Sequence, residues 1–324
     1  MSSSLTRAID RAIEATVVLS FSNIGYRVRS RLDHWAATPS LAGRHVVVTG
    51  ATSGLGLEAA AAFAQAGAHV YVVARNPQKA EVVIAELRER VGRDAFTFVE
   101  GDMGSLESVR RCAATLREAT DTIDVLVHNA GALTADYTRS PDGTETTLAT
   151  HVVGPFLLTE LLRGPLANAA PGRVITVTSG GMYSWKFSLP AFEMTPTNYD
   201  GVKAYAHAKR AQVMLAHEWA DLVSPSQILF ATMHPGWSDT PGLASSLPTF
   251  YRLLRPFLRT PAEGMDTALW LASTPDLADN DGALYFDRRV RSEHKMRTRS
   301  ATPTADQRAL WRWCVERSGV SPTV

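Results

Sequence analysis

Residues 45–56 read His45-Val46-Val47-Val48-Thr49-Gly50-Ala51-Thr52-Ser53-Gly54-Leu55-Gly56. A β-branched run passes straight into a glycine turn, and Leu55–Gln65 follows as an Ala-rich helical pattern ended by Gly67. A strand that turns through glycines into a helix is the opening of a nucleotide-binding α/β unit. Gly50 permits the tight turn. Gly54 lets the backbone approach a pyrophosphate, which the helix N-terminus then attracts, and Gly56 lets the helix lie close on the strand. Thr52, Ser53 and Leu55 are counted with them as cofactor-loop residues. The loop lacks the Lys-Ser/Thr ending of an NTP-binding loop, so ATP is not expected.

Outward from this turn the pattern alternates. Strands are expected at Val70–Ala74, Phe96–Val99, Ile123–Val127, Val174–Thr178, Ile228–Thr232 and Ala283–Phe286. Helices are expected at Pro77–Arg90, Ser105–Glu118, Leu148–Leu162, Lys203–Leu222 and Ala262–Ala272. Such alternation implies a parallel sheet covered on both faces. Right-handed crossovers make it a doubly wound α/β fold, Rossmann-like, with about seven parallel strands. No internal repeat or low-complexity tract divides it. We expect a helical N-terminal extension over 1–40, one Rossmann domain over 41–290, and a C-terminal extension with a helix over 291–324.

Composition narrows the function. The chain has 324 residues, 33 Lys+Arg against 32 Asp+Glu, and 45% hydrophobic residues. That is ordinary globular composition, and a net charge of +1 argues against a nucleic-acid binder held by bulk phosphate attraction. Two cysteines, Cys112 and Cys314, make neither a disulfide framework nor a Cys-based metal site, and no metal is expected. The longest uncharged run, Leu222–Ser238, contains Pro225 and Pro235, whereas a spanning helix needs about 20 mostly apolar residues. Ala15–Tyr26 is read as mature chain, not a signal peptide. The expected location is cytoplasmic, with peripheral membrane contact left open.

The second strand ends Val72-Val73-Ala74-Arg75. An acidic residue here would hold a ribose 2′-hydroxyl. Arg75 instead suits a 2′-phosphate, favouring NADP(H) over NAD(H). Farther on, Tyr205-Ala206-His207-Ala208-Lys209 sets a phenol and an ammonium four positions apart, on one helical face. An ammonium near a phenol favours phenolate, so the tyrosine should fall from about 10 toward neutrality and exchange a proton with a carbonyl or alcohol oxygen. The spacing alone does not decide this, since Tyr199-Asp200-Gly201-Val202-Lys203 matches it too. There Gly201 is expected to break the helix, so Tyr205 is chosen. Ser179, just past a strand end and before Gly180-Gly181, is placed to hold the same oxygen.

With these residues in place, the chain over about 41–290 resembles the short-chain dehydrogenase/reductase family, and more narrowly the branch typified by dehydrogenase/reductase family member 12. The matching pieces are Thr49–Gly56, Asp102-Met103, Asn129-Ala130-Gly131, Ser179-Gly180-Gly181-Met182, Tyr205 with Lys209, and Pro235-Gly236. The resemblance implies that Asp102 binds the adenine amino group with Met103 against it. It implies that Asn129, Ala130 and Gly131 line the cofactor, and that Pro235, Gly236 and Thr240 lie near the nicotinamide. Lys209 would hold the nicotinamide ribose and tune Tyr205, and Ser179 would orient the carbonyl. Two positions depart from the family: His128 begins the Asn-Ala-Gly run, and His151 stands where an asparagine supports the proton-relay water. The sharper reading makes His151 a pH-sensitive or weakened relay; the plain one makes it a tolerated substitution. The alternative function is an NADP(H)-binding scaffold or sensor without turnover.

The ends carry less. Pro248–Thr260 combines aromatic and aliphatic residues with Arg252, Arg255 and Arg259. It reads as a cover over a hydrophobic carbonyl or alcohol substrate with solvated arginines, or as a membrane-facing edge. Leu5–Arg31, which carries Arg7, Arg11, Arg27, Arg29 and Arg31, could extend that edge, or serve as a packing or dimer helix in a homo-oligomer. Arg288–Arg299 is a basic run read as solvated tail, and the Leu310, Trp311, Cys314 pattern needs a partner surface.

Overall fold

The computed structural model describes residues 3–37, 39–131, 133–169, 171–295 and 304–321. The chain opens with three helices, α1 (Ser3–Glu14), α2 (Val17–Phe21) and α3 (Asn23–Leu32). It then alternates: β1 (His45–Thr49), α4 (Gly54–Gln65), β2 (His69–Ala74), α5 (Pro77–Val91), β3 (Phe96–Glu100), α6 (Leu106–Ala119) and β4 (Val125–His128). The second half runs α7 (Thr146–Leu148), α8 (Gly154–Leu161), α9 (Arg163–Asn168), β5 (Gly172–Val177), α10 (Gly201–Leu222) and β6 (Ile228–Met233). After it come α11 (Pro241–Ser246), α12 (Pro248–Leu254), α13 (Pro261–Leu271), β7 (Leu284–Phe286), β8 (Arg289–Val290) and α14 (Thr304–Ser318).

The strands form one sheet in the order β3-β2-β1-β4-β5-β6-β7-β8. The register pairs His45 with His69 on one side of β1 and Val47 with Leu126 on the other. Successive strand residues point to opposite faces. Accordingly Val47 packs with Leu126, Phe156 and Trp219, while Val46 and Val48 pack with Ala60, Phe63 and Met265 of the other layer. The strand order reverses between β1 and β4, and this opens a crevice at the carboxyl ends of the strands. The glycine turn after β1 sits there.

Three local differences from the sequence-based expectation have physical causes. The eighth strand, β8, is antiparallel to β7 and so departs from about seven parallel strands. It is two residues long and follows a turn in which Asp287 and Arg288 both take positive φ, +52° and +54°. Such turns usually announce themselves by Asn-Gly, and Asp-Arg does not. Gly201 opens α10 instead of breaking it: Asp200 caps the helix by accepting the Lys203 N–H. A Cβ at Gly201 would collide with the Thr134 carbonyl oxygen, so the residue is small because the chain passes close. The expected helix Leu148–Leu162 is interrupted by a π turn at Ala149–Val153, just ahead of Pro155. Proline lacks an N–H and its ring crowds the preceding turn, which widening relieves.

The ends dock on this body. Leu310, Trp313 and Cys314 of α14 are buried, and Trp311 lies edge-on to Phe156 at 4.9 Å. The partner surface of that pattern is the chain's own α8 and α10. In the basic run Arg288–Arg299, residues 296–299 lie outside the described residues. Arg288 and Arg289 within it are paired, with Asp266 and Asp33 respectively.

Candidate active site

The glycine turn is built as a cradle. Gly50 and Gly54 both take positive φ, +67° and +52°, which a side chain would resist. A Cβ at Gly50 would approach Ala130 Cα to 2.8 Å, and one at Gly56 would run into the Gly50 carbonyl oxygen and the Asn129 amide. Ser53 precedes α4 without a side-chain cap bond, so the first turn of α4 is not closed by its own chain. Asn129 ties the rim: its amide donates to the carbonyls of Thr49 (2.9 Å) and Gly50 (3.4 Å). Thr49 Oγ1 accepts the N–H groups of Asn129 and Ala130 and donates to the Val127 carbonyl. The cradle suits a pyrophosphate, because the glycines let the turn close tightly on Ala130 and Asn129 while the first N–H groups of α4 keep no side-chain cap. Thr240 flanks it, 3.5 Å from where a Gly54 Cβ would stand. Arg75 is exposed at the tip of β2 and makes no ion pair among the described residues. Asp102, half-buried past β3, accepts the Gly104 N–H at 2.9 Å, and Met103 is buried beside it.

The second group of residues converges on Tyr205. Ser179 follows β5; its hydroxyl accepts the Gly181 N–H at 3.2 Å and lies beside the Tyr205 ring, both within 4 Å of where a Gly181 Cβ would stand. Lys209, one turn on along α10, donates to the Val177 carbonyl at 2.8 Å, and its Nζ lies 5.5 Å from the Tyr205 ring centroid. Burial without a hydrogen-bonded carboxylate pushes the lysine down to about 7. The phenol differs from expectation: burial raises it above its ordinary value, and the neighbouring Ser179 hydroxyl opposes this. Desolvation outweighs a cation that itself sits against a carbonyl. Tyr199, the rival, lies elsewhere and bonds Thr134 at 2.7 Å and Thr147 at 3.1 Å.

His151 lies on the π turn, with its ring perpendicular to Tyr205 at 5.3 Å. Gly131 makes room for it, since a Cβ there would collide with the imidazole. The His151 carbonyl accepts the Gln212 amide at 2.9 Å. His128, the other departure from the family pattern, meets His151 in a small cavity that Thr176 and Gln212 also line. Burial pushes His128 down to about 3, so it is neutral. Thr159 spends its proton on the Pro155 carbonyl and therefore accepts from His128 Nε2 at 2.8 Å. That leaves His128 Nδ1 as an acceptor, and Gln212 Oε1 is a second; both are buried without a hydrogen-bond partner among the described residues.

Pro235-Gly236 follows β6. Gly236 takes φ +70°, and a Cβ there would stand 2.6 Å from Arg259 Nε and 2.7 Å from the Phe21 carbonyl oxygen. Neither Arg259 nor Phe21 was singled out for this site from sequence. Arg259 was read as solvated but is 1% exposed, bonded to Asp287 and to the carbonyls of Ser20, Phe21 and Ser22. Arg29 of the N-terminal segment is likewise 1% exposed and holds Asp10, Glu14 and Asp287. Thr49 carried a readable signal, its place beside the first glycine. Gln212 carried a fainter one, being two turns along the helix from Tyr205. Phe21 carried none. Among the described residues no helix is long and apolar enough to cross a membrane.

A family profile described as short chain dehydrogenase matches residues 44–249. Dehydrogenase/reductase SDR family member 12 of Bos taurus is 36% identical over 270 residues, spanning 83% of this chain and 84% of the relative. Retinol dehydrogenase 11 of Mus musculus is 29% identical, over 81% of this chain and 84% of its own. Among solved structures, a candidate NAD(P)-dependent gluconate 5-dehydrogenase of Beutenbergia cavernae, with bound NADP, aligns with a TM-score of 0.63. It is 25% identical, over 76% of this chain and 96% of its own.

Proposed function

Because the chain belongs to the short-chain dehydrogenase/reductase family, we propose that it is an NADP(H)-dependent oxidoreductase acting on a carbonyl or secondary alcohol of hydrophobic character. The observation that carries this is the meeting of Ser179, Tyr205 and Lys209 at one strand end, next to a glycine cradle shaped for a pyrophosphate. When bound, the nicotinamide supplies or accepts the hydride. Gly50, Thr52, Ser53, Gly54, Leu55 and Gly56 would hold the pyrophosphate, Asp102 and Met103 the adenine end, and Asn129, Ala130, Gly131, Pro235, Gly236 and Thr240 the remainder. Arg75, exposed and in no ion pair among the described residues, is free to take a 2′-phosphate. The NADP bound to the Beutenbergia cavernae relative supports this choice over NAD(H).

Tyr205 Oη gives its proton to the carbonyl oxygen in reduction and takes it back in oxidation. Ser179 holds that oxygen in place. Lys209 keeps its own proton more readily when charge develops on the phenol, so each group eases the ionisation of the other. The test is a panel of carbonyls and alcohols with NADPH and NADH, with Tyr205→Phe as control. Turnover lost in the variant, and tighter binding of NADPH that Arg75→Ala weakens about tenfold, are expected. NADPH consumption as fast in Tyr205→Phe as in the wild type would refute the catalytic reading. NADPH binding without any turnover would leave a scaffold or sensor.

The substrate side favours an apolar ligand at a lipid surface. Val17, Val18, Leu19 and Ile24 are exposed on α2 and α3, as are Leu253 and Phe257 on the segment after Pro248. Asn23 joins the two by donating to the Pro256 and Leu258 carbonyls, and Arg27, Arg252 and Arg255 of these segments, with Arg7 of α1, are exposed. Exposed apolar residues with arginines close by in the chain fit an anionic bilayer. Co-sedimentation with phosphatidylserine vesicles but not with phosphatidylcholine ones is expected; equal, weak binding to both would remove the idea.

A further inference from the structure

We propose that Phe21, from the N-terminal segment outside the matched family region, is a positioning residue of the catalytic pocket. The inference rests on the oxidoreductase reading above. Phe21 closes the five-residue helix α2 and is 4% exposed. Its ring lies 4.7 Å from His234, 5.4 Å from Phe286 and 6.0 Å from Trp237. One ring edge occupies the space that a side chain at Gly180 would need: a Cβ there would collide with Phe21 Cε2. Gly180 is the residue after Ser179. The backbone of Phe21 serves the neighbouring loop, since its carbonyl accepts the Trp237 N–H at 2.8 Å and crowds Gly236. The turn that carries Ser179 and the turn that carries Pro235-Gly236 are therefore moulded on one residue.

Phe21 is itself held firmly. Arg259 donates to its carbonyl at 3.1 Å and to Ser20 and Ser22 on either side. Arg259 is fixed by Asp287, which also binds Arg29 of α3 at 2.7 Å. The segment is thus clamped by buried, paired charges. Ser179, by contrast, opens into two successive glycines, the least constrained backbone a turn can have. Its hydroxyl must keep hydrogen-bonding reach to the oxygen that Tyr205 protonates, and a misplacement of about 1 Å in such a site can cost about 100-fold in rate. The Phe21 ring supplies the wall that the glycine turn lacks.

The test uses the full chain with NADPH and a carbonyl that the wild type reduces. Four variants are compared below their melting temperatures: Phe21→Ala, Phe21→Leu, Gly180→Ala, and Gly180→Ala combined with Phe21→Ala. Phe21→Ala is expected to lower kcat at least tenfold while NADPH Kd stays within about twofold, and Phe21→Leu to recover most of the loss. Gly180→Ala alone should also lower kcat, because its methyl meets the ring. The combined variant should lose less kcat than the product of the two single losses, since the methyl enters the vacated space. Should Phe21→Ala fail to fold, Phe21→Leu against Gly180→Ala still reads the contact. Wild-type kcat in Phe21→Ala, or kcat and NADPH affinity falling in step with no rescue in the combined variant, overturns the inference alone. A wild type that reduces no carbonyl and oxidises no alcohol overturns the enzymatic reading, and this inference with it.

Discussion

Replacing Lys209 by Met removes a buried ammonium whose one hydrogen bond among the described residues is to the Val177 carbonyl. Burial lowers this lysine from 10.5 to about 7. At about 1.36 kcal/mol per unit, the native state carries a penalty of up to about 5 kcal/mol when the group is charged in both states. The sign follows from the protons. Between about pH 7 and 10.5 the unfolded chain holds a proton that the native protein has released, so stability rises with pH across that window. Below about pH 7 both states are protonated and the whole penalty is present. Met fills a similar volume, forfeits a hydrogen bond worth about 1 kcal/mol, and the protein relaxes around part of the rest. We expect Lys209→Met to raise the stability of the cofactor-free protein by about 2–3 kcal/mol at pH 6, with the gain more than halved at pH 9, while turnover is lost. Urea unfolding at the two pH values, with an unchanged m, reads it. A variant less stable than wild type at pH 6, or a gain independent of pH, would refute the argument that desolvation of this ammonium dominates.

Gly56→Ala drives a methyl into the Gly50 carbonyl and the Asn129 amide, neither of which can yield freely; NADPH affinity measured by fluorescence should fall at least tenfold, with about 1–3 kcal/mol of overpacking cost. An atomic-resolution crystal structure should show one ordered water in the His128/Gln212 cavity, donating to His128 Nδ1 and Gln212 Oε1, because two buried acceptors need a donor; a dry cavity would count against the tautomer derived for His128. His151→Asn is expected to move the pH–rate profile, and an unchanged profile would remove the pH-sensitive relay. Asp287→Ala strands Arg259 without its carboxylate in a site 1% exposed and should cost about 3–5 kcal/mol by denaturant midpoint.

Much of the fold was legible because its signals are local. The β-branched run Val46–Val48, the glycines after it, Pro77 at a helix start and Ser105 as a helix cap can be read residue by residue, and Ser105 accepts the Ser108 N–H as its type suggests. Tyr205 and Lys209 were legible because helical spacing is short-range geometry. What was not legible depends on contacts distant in sequence. The roles of Arg29 and Arg259 cannot be told from those of solvated arginines until Asp287 is brought between them. His128 and His151 looked like two unrelated substitutions until one cavity joined them. The phenol's upward displacement needed the depth of its burial, which no spacing encodes.

The junction at Asp287 has a consequence for the order of assembly. Arg29 and Asp287 are 258 positions apart, and Asp10 meets Arg289 and Arg291 across still longer spans. α1 and α3 leave the ribosome well before Asp287, Arg289 and Arg291, so the groups that receive them arrive only after most of the sheet has been made. Until then Phe21 has no Arg259 or Phe286 to lie against. The strands from β1 to β5 meet no such delay, so the glycine cradle can assemble while the wall behind Ser179 is still waiting for its mortar.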